Sequence, residues 1–118
     1  MVYELIDKYY ANTPELRNIL VTHSEQVRDR ALKIVDQHTE WQFEEYGGRA
    51  AARQFIEEAA MLHDIGIFYC NAPRIFCTGE HKYIEHGYLG AELLRREVQG
   101  VCEMDAQARL RHGPRLPH

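Results

Sequence analysis

The side chains best placed for chemistry are those of His63 and Asp64, which are adjacent within the stretch 57–66. Neighbouring residues lie about 100° apart on a helix, so both side chains reach one point only near a helix end. Gly66 predicts that end, because glycine can adopt the left-handed conformation that closes a helix. An imidazole and a carboxylate offered together to a buried point suit a divalent cation. Fe, Mn, Zn, Ni or Co fits this pair of ligands better than Ca or Mg.

A helix must carry the pair to the interior, and the preceding sequence predicts one. Apolar residues recur there every three or four positions, which is the spacing of a single helix face. We expect this face to pack on the core and to deliver His63 to it. The residues that form the stripe are Ala52, Phe55, Ile56, Ala59 and Leu62.

The first part of the chain predicts helices that pack against this one. Residues 2–10 have the apolar spacing of a short helix. Thr13 and Pro14 then predict a new helix start, as an N-cap residue and a first-turn proline. The side chains expected on the buried side of that helix are Leu16, Ile19 and Leu20.

His23 begins a further helix in this interpretation. The residues from Thr22 to Glu25 match the S/T-x-x-E capping box, which predicts a helix that starts there and ends near His38. His23 shares an apolar stripe with Val27, so we expect it at the top of the buried face. From spacing alone, a core histidine with one hydrogen bond is better supported than a metal ligand.

A third histidine of interest, His86, lies in the predicted helix 83–97. It shares a stripe with Leu89 and Leu93, which places it on the face that turns inward. Small residues beside it predict a close crossing of another element. A histidine that bonds only to a backbone carbonyl is the alternative at this position. The small residues are Gly87, Gly90 and Ala91.

The connection 67–80 leaves the His63–Asp64 pair directly and mixes aromatic residues with Pro and Gly. Loops of this length in compact domains are often binding loops, so we expect it to wall the pocket. Arg74 and Lys82 are candidate substrate-binding residues, as contacts to a phosphate group. Solvated surface charge is the alternative interpretation for each of them.

Together these motifs resemble the HD superfamily of metal-dependent phosphohydrolases, in particular small bacterial domains with a His-Asp-Ile-Gly signature. The signature stands at 63–66, and the resemblance also uses an upstream His and a downstream His-Gly-x-x-Gly-Ala, over about residues 22 to 102. It implies a compact all-α helical bundle that hydrolyses phosphoesters with a metal-activated water. It implies His63 and Asp64 as catalytic residues. The implied metal ligands are His23, His63, Asp64 and His86.

Composition limits the size and the partners of the protein. Its 118 residues suffice for one domain, and its net charge of −4 comes without a basic stripe. Long nucleic acid is therefore not an expected partner. A small phosphorylated substrate, with nucleotides among the candidates, is compatible because a bound cation supplies positive charge. No apolar run approaches about 20 residues and no signal-peptide pattern is present, which predicts a cytoplasmic location away from the membrane.

The cysteines are three in number and unevenly spaced. This pattern argues against a disulfide framework and against a cysteine-based zinc site, which would need close pairs. We expect partly buried thiols, with Cys70 and Cys77 near the pocket. Cys70 is also a candidate nucleophile for a metal-free mechanism, although nothing around it in the sequence favours a lowered pKa.

The C-terminal end departs from the superfamily pattern. We divide the chain into an HD-type helical domain at 1–103 and an atypical, disordered or non-family tail at 104–118, rich in Arg, Pro and His. Relatives in the superfamily continue with helices that bring another histidine and a distal aspartate to the metal, and this tail has no convincing counterpart. We expect a chain that is truncated, or read out of frame, after about Glu103. Intact mass and the coding DNA test that expectation.

Two other functions fit the same residues. A catalytically inactive HD-type module would keep the metal and bind a phosphorylated ligand without hydrolysing it. A purely structural helical domain would use its histidines as core residues. Metal analysis separates this last function from the other two, and a phosphatase screen separates the enzyme from the module.

Overall fold

The computed structural model describes residues 1–97, and it confirms the all-α fold class. The predictions for 98–103, for Cys102 and for the tail 104–118 lie outside the described residues. No helix within 1–97 combines the length and the apolar character needed to cross a membrane. The helices are α1 (Val2–Tyr10), α2 (Pro14–Gln37), α3 (Arg49–Leu62) and α4 (helical residues 86–97).

Helix α2 is one continuous helix, so the predicted helix start at Thr22 is wrong. Thr13 is its N-cap residue and Pro14 its first residue, which confirms that part of the prediction. The run from Pro14 onward contains neither glycine nor a further proline, and helical residues therefore continue through the capping-box pattern. Leu16 and Leu20 are buried as expected, whereas Ile19 remains 37% exposed.

Helix α3 packs along α2, but only part of the predicted face is buried. Ala52 is buried and Leu62 packs on the core, as expected, whereas Phe55 is 71% exposed and Ala59 is exposed as well. The expected burial of Phe55 and Ala59 is therefore wrong, and so is that of His63, whose side chain is 37% exposed. Helix α3 carries apolar residues on adjacent stripes, and periodicity does not tell which stripe α2 covers.

Short helical turns and a small hairpin replace the long loop predicted at 67–80. A 3₁₀ turn occupies Ile65–Tyr69, and strands β1 (Asn71–Ala72) and β2 (Cys77–Thr78) pair antiparallel, with Ala72 opposite Cys77. Cys70 and Cys77 are fully buried rather than partly buried. Burial raises the pKa of both thiols, which disfavours Cys70 as a nucleophile.

Gly66 serves the fold differently from the prediction. Helix α3 ends at Leu62, and Gly66 lies in the following 3₁₀ turn without a left-handed backbone, so its predicted role in closing the helix is wrong. A Cβ at Gly66 would lie 2.6 Å from the carbonyl oxygen of His86 and closer still to the amide nitrogen of Gly90. The predicted close crossing at Gly90 is thus present. It joins the turn after Asp64 to α4.

Candidate metal centre

Asp64 lies at the middle of a cluster of imidazole rings. It follows α3 directly, its side chain is 14% exposed, and its backbone oxygen accepts a hydrogen bond from the Ile67 amide at 3.0 Å. Its Oδ2 atom lies 3.3 Å from Nε2 of His23 and 3.1 Å from Nε2 of His63. One ligand atom from each of these three residues lies within 4.8 Å of the others. Two helices and one turn therefore bring three of the predicted ligands together.

His63 is oriented by its other ring nitrogen. Its Nδ1 atom lies 2.6 Å from the carbonyl oxygen of Ala60, one turn earlier in α3. A carbonyl oxygen only accepts, so Nδ1 carries the proton and donates it. In the neutral ring the Nε2 atom then has a free lone pair, and that lone pair is the group that faces Asp64.

His86 repeats this arrangement on the other side of the carboxylate. Its Nδ1 donates to the carbonyl oxygen of Tyr83 at 2.6 Å, and its Nε2 lies 3.2 Å from Oδ1 of Asp64. The predicted inward placement of His86 is matched by an exposed side-chain fraction of 24%. The ring bonds to a backbone carbonyl, as the alternative predicted, and it also faces the centre, while its role as a metal ligand stays a prediction.

His23 comes from the exposed side of α2 rather than from its buried face. Its side chain is 53% exposed, and the adjacent Ser24 is the buried residue. The expected burial of His23 is therefore wrong, although its Nε2 does reach Asp64. The centre is consequently open on the side of α2, where solvent or a ligand can enter.

The donor set fits a divalent transition metal. Acceptor nitrogens of two rings face an acceptor carboxylate, so a cation or an added proton must separate them. The 3.1–3.3 Å separations exceed the roughly 2.7–2.9 Å of a direct charge-assisted hydrogen bond. Ligand atoms bound to one metal at about 2.1 Å lie about 3.0–3.4 Å apart in octahedral or tetrahedral geometry. The separations between each imidazole nitrogen and the Asp64 carboxylate match that spacing.

Tyr10 anchors the turn that carries Asp64, and sequence reasoning missed it. Its fully buried hydroxyl donates to the carbonyl oxygen of Ile65 at 2.6 Å and accepts from the amide of Phe68 at 3.3 Å. Burial raises the pKa of Tyr10, so the hydroxyl keeps its proton for this bond. Apolar spacing places a tyrosine in α1, but no local pattern reveals a partner 55 positions away.

A cavity of about 160 Å³ adjoins the centre, and His23 and Asp64 form part of its wall. Ile67 and Ile75, from the segment after Asp64, also line it, which agrees with the expectation that this segment walls a pocket. The candidate phosphate contacts Arg74 and Lys82 are both exposed. Neither side chain lines this cavity, and both assignments stay predictions.

No protein-family model matches the sequence, and no curated protein or solved structure matches it either. The resemblance to the HD superfamily therefore depends on the short motifs around His23, His63 and His86. Function must be inferred from those motifs and from the geometry of the side chains that they contribute.

Proposed function

We propose that this protein is a metal-dependent phosphohydrolase of the HD type that acts on a small phosphorylated substrate. One observation carries the proposal: the Nε2 atoms of His23 and His63 lie 3.3 and 3.1 Å from Oδ2 of Asp64, and one ligand atom of each residue lies within 4.8 Å of the others. Fe, Mn, Zn, Ni or Co suits this set of nitrogen and oxygen ligands. The motif resemblance supplies the reaction class, and the geometry supports a place where a cation would bind.

His23, His63 and Asp64 would hold the cation, and His86, whose Nε2 lies 3.2 Å from Oδ1 of Asp64, is proposed as a further ligand on that side of the carboxylate. A divalent cation, when bound, acidifies a coordinated water and withdraws charge from a phosphoryl oxygen. The water oxygen forms a new bond to phosphorus while the ester P–O bond breaks. One water proton would pass to the leaving oxygen, so a phosphomonoester would give an alcohol and inorganic phosphate, and a phosphodiester would give an alcohol and a phosphomonoester. The carbonyls that hold Nδ1 of His63 and His86 keep both rings oriented during this step.

The proposed substrate is a phosphomonoester or phosphodiester, with nucleotides among the candidates. Arg74 and Lys82 are proposed as phosphate contacts outside the cavity, because both side chains are exposed near segments that line it. The proposed location is the cytoplasm, supported by three unevenly spaced cysteines, which fit a reducing compartment.

A hydrolysis assay tests the proposal. Protein stripped with a chelator and reloaded with Mn²⁺ should release p-nitrophenol from p-nitrophenyl phosphate or its bis ester. His63→Ala and Asp64→Ala should each abolish this release. His38→Ala is a matched control, because that ring stacks on Trp41 and lies against Glu40. Loss of activity in the control alone, or equal activity in all variants, would contradict the proposal.

The same assay distinguishes the inactive module. Wild-type protein that binds Mn²⁺ through His63 and Asp64 but cleaves neither ester would be a binding module. Protein that binds no divalent cation would leave only a structural helical domain.

A further inference from the structure

We infer that the substrate carries a small apolar organic group, such as a short alkyl chain or a phenyl ring, on its phosphate. This inference rests on the proposed function and narrows its substrate class. It comes from the cavity beside the centre, whose wall includes His23 and Asp64. His63 lines a second cavity, of about 410 Å³, but the cavity lined by His23 and Asp64 borders two of the three converging ligands, so we place the group esterified to a phosphoryl at the centre there.

The rest of the cavity wall is almost entirely aliphatic. Tyr83 contributes the one further side chain with a polar atom, and it is 53% exposed. Ribose hydroxyls or the edges of a base would lose their water here and find few hydrogen-bond partners. An apolar group loses nothing and gains contacts. The aliphatic residues are Leu16, Ile19, Leu20, Ile67 and Ile75.

The charge of the residues that line the cavity also favours a small apolar group. Within residues 1–97, no lysine or arginine side chain lines this cavity. A di- or triphosphate brings several negative charges and needs cationic partners in addition to one metal. Arg74 and Lys82, the proposed phosphate contacts, do not line the cavity. The group that enters the cavity is therefore the uncharged organic part of the ester and not a further phosphate.

Size supports the same class of substrate. A cavity of about 150 Å³ is enough to hold benzene, whereas drug-sized ligands occupy about 300–1,000 Å³. The cavity beside His23 has about 160 Å³. A phenyl or butyl group fills that volume, whereas a complete nucleoside would extend beyond it into solvent.

A matched pair of esters tests the inference. Butyl phosphate and glycerol 3-phosphate are similar in size, but the second carries two hydroxyl groups. We expect kcat/KM for butyl phosphate to exceed that for glycerol 3-phosphate at least tenfold. From methyl to butyl phosphate, kcat/KM should rise about fourfold per methylene. AMP should be a poorer substrate than butyl phosphate.

Two tryptophan variants locate the effect. Ile19→Trp fills the mouth of the cavity and should reduce the butyl-to-methyl ratio of kcat/KM to near one. Ile34→Trp is the matched control, because Ile34 lies on the same helix, is 40% exposed and does not line the cavity. It should keep the wild-type ratio. Circular dichroism confirms that both variants fold.

The outcomes separate this inference from the proposed function. A higher kcat/KM for AMP or glycerol 3-phosphate than for butyl phosphate would overturn the inference. The proposed phosphohydrolase function would still stand. If no ester is cleaved, the proposed enzymatic function fails. Calorimetry with butylphosphonate and methylphosphonate on Mn²⁺-loaded protein then shows whether the cavity binds an apolar group. Tighter binding of butylphosphonate that Ile19→Trp removes would support an apolar ligand site. Equal affinities would overturn it.

Discussion

The two ends of α3 hold polar groups in opposite ways. At its start, the Arg49 guanidinium donates to the carbonyl oxygens of Val35 and His38, each at 2.9 Å, and of Trp41 at 3.0 Å. At its other end, the Nε2 atoms of His23 and His63 lie 3.3 and 3.1 Å from Oδ2 of Asp64. Donors meet acceptors at the first end, whereas the second end needs an added proton or a cation between the His63 nitrogen and the carboxylate.

This difference separates a structural contact from a ligand cluster. The Arg49 fork satisfies the carbonyl groups at the C-terminal end of α2, which is a known way to stabilise a helix end. In the Asp64 cluster the neutral His63 ring would oppose its Nε2 lone pair to the carboxylate, which costs free energy unless a proton or a cation lies between them. A fold retains such a cost where a bound cation offsets it.

The largest expected effect comes from giving the cluster a donor. Asp64→Asn replaces a carboxylate oxygen with an NH₂ group that can donate to a facing Nε2. We expect metal affinity to fall at least about 1,000-fold, or about 4 kcal/mol. The melting temperature of the metal-free protein should stay the same or rise, because opposed acceptors are relieved. Calorimetry and thermal unfolding measure the two effects.

If the cluster were a structural ion pair, Asp64→Asn would instead lower the stability of the metal-free protein. That result, together with an unchanged metal affinity, would show that the contacts at both ends of α3 are structural.

The close contact of Gly66 with α4 should give the next largest effect. Gly66→Ala places a methyl group against the backbone of His86 and Gly90, and we expect a loss of about 3 kcal/mol or more. Gly87→Ala is the control, since a Cβ there meets nothing within 4 Å. It should stabilise the helix by about 0.5–1 kcal/mol. Urea unfolding measures the stability of both variants. Equal free energies of unfolding would contradict the close contact of Gly66 with α4.

Tyr10→Phe should affect the centre without a direct contact to it. It leaves the Ile65 carbonyl and the Phe68 amide without their partner, and we expect a loss of about 1–3 kcal/mol in unfolding free energy. Because the turn that carries Asp64 loosens, metal affinity should fall about tenfold. A purely structural role for Tyr10 would lower stability but leave the metal affinity unchanged.

Arg49→Ala tests the first end of α3 and should have the smallest effect. Three hydrogen bonds to partly exposed carbonyl groups are lost, and we expect about 1–2 kcal/mol of destabilisation in urea unfolding. Metal affinity should not change. A drop in metal affinity comparable with that of Asp64→Asn would show that the two ends are not independent.

Local patterns in the sequence predicted those parts of the molecule that depend on local spacing. The all-α class, the cap at Thr13 and the inward stripe of α4 with buried Gly90 and Leu93 follow from residues a few positions apart. The convergence of His23 and His63 on Asp64 was also predicted, although His23 comes from an exposed face.

The errors concern contacts between distant segments. Two apolar stripes on α3 compete for α2, so spacing did not show that Phe55 stays exposed. Glycine is required at position 66 because the backbone of α4 lies too close for a side chain, not because of the backbone conformation at Gly66 itself. The bond from Tyr10 to the Ile65 carbonyl joins residues far apart in the chain. None of these contacts has a local signature.

A titration with Co²⁺ tests the central claim most directly, because the visible spectrum of Co²⁺ reports its ligands. Chelator-stripped wild-type protein should bind one Co²⁺ tightly per chain, and His23→Ala and His63→Ala should each weaken binding and change the spectrum. His38→Ala should match wild type. Failure of the wild-type protein to bind Co²⁺, or identical spectra and affinities in the His23 and His63 variants, would contradict the claim that these rings share one cation with Asp64.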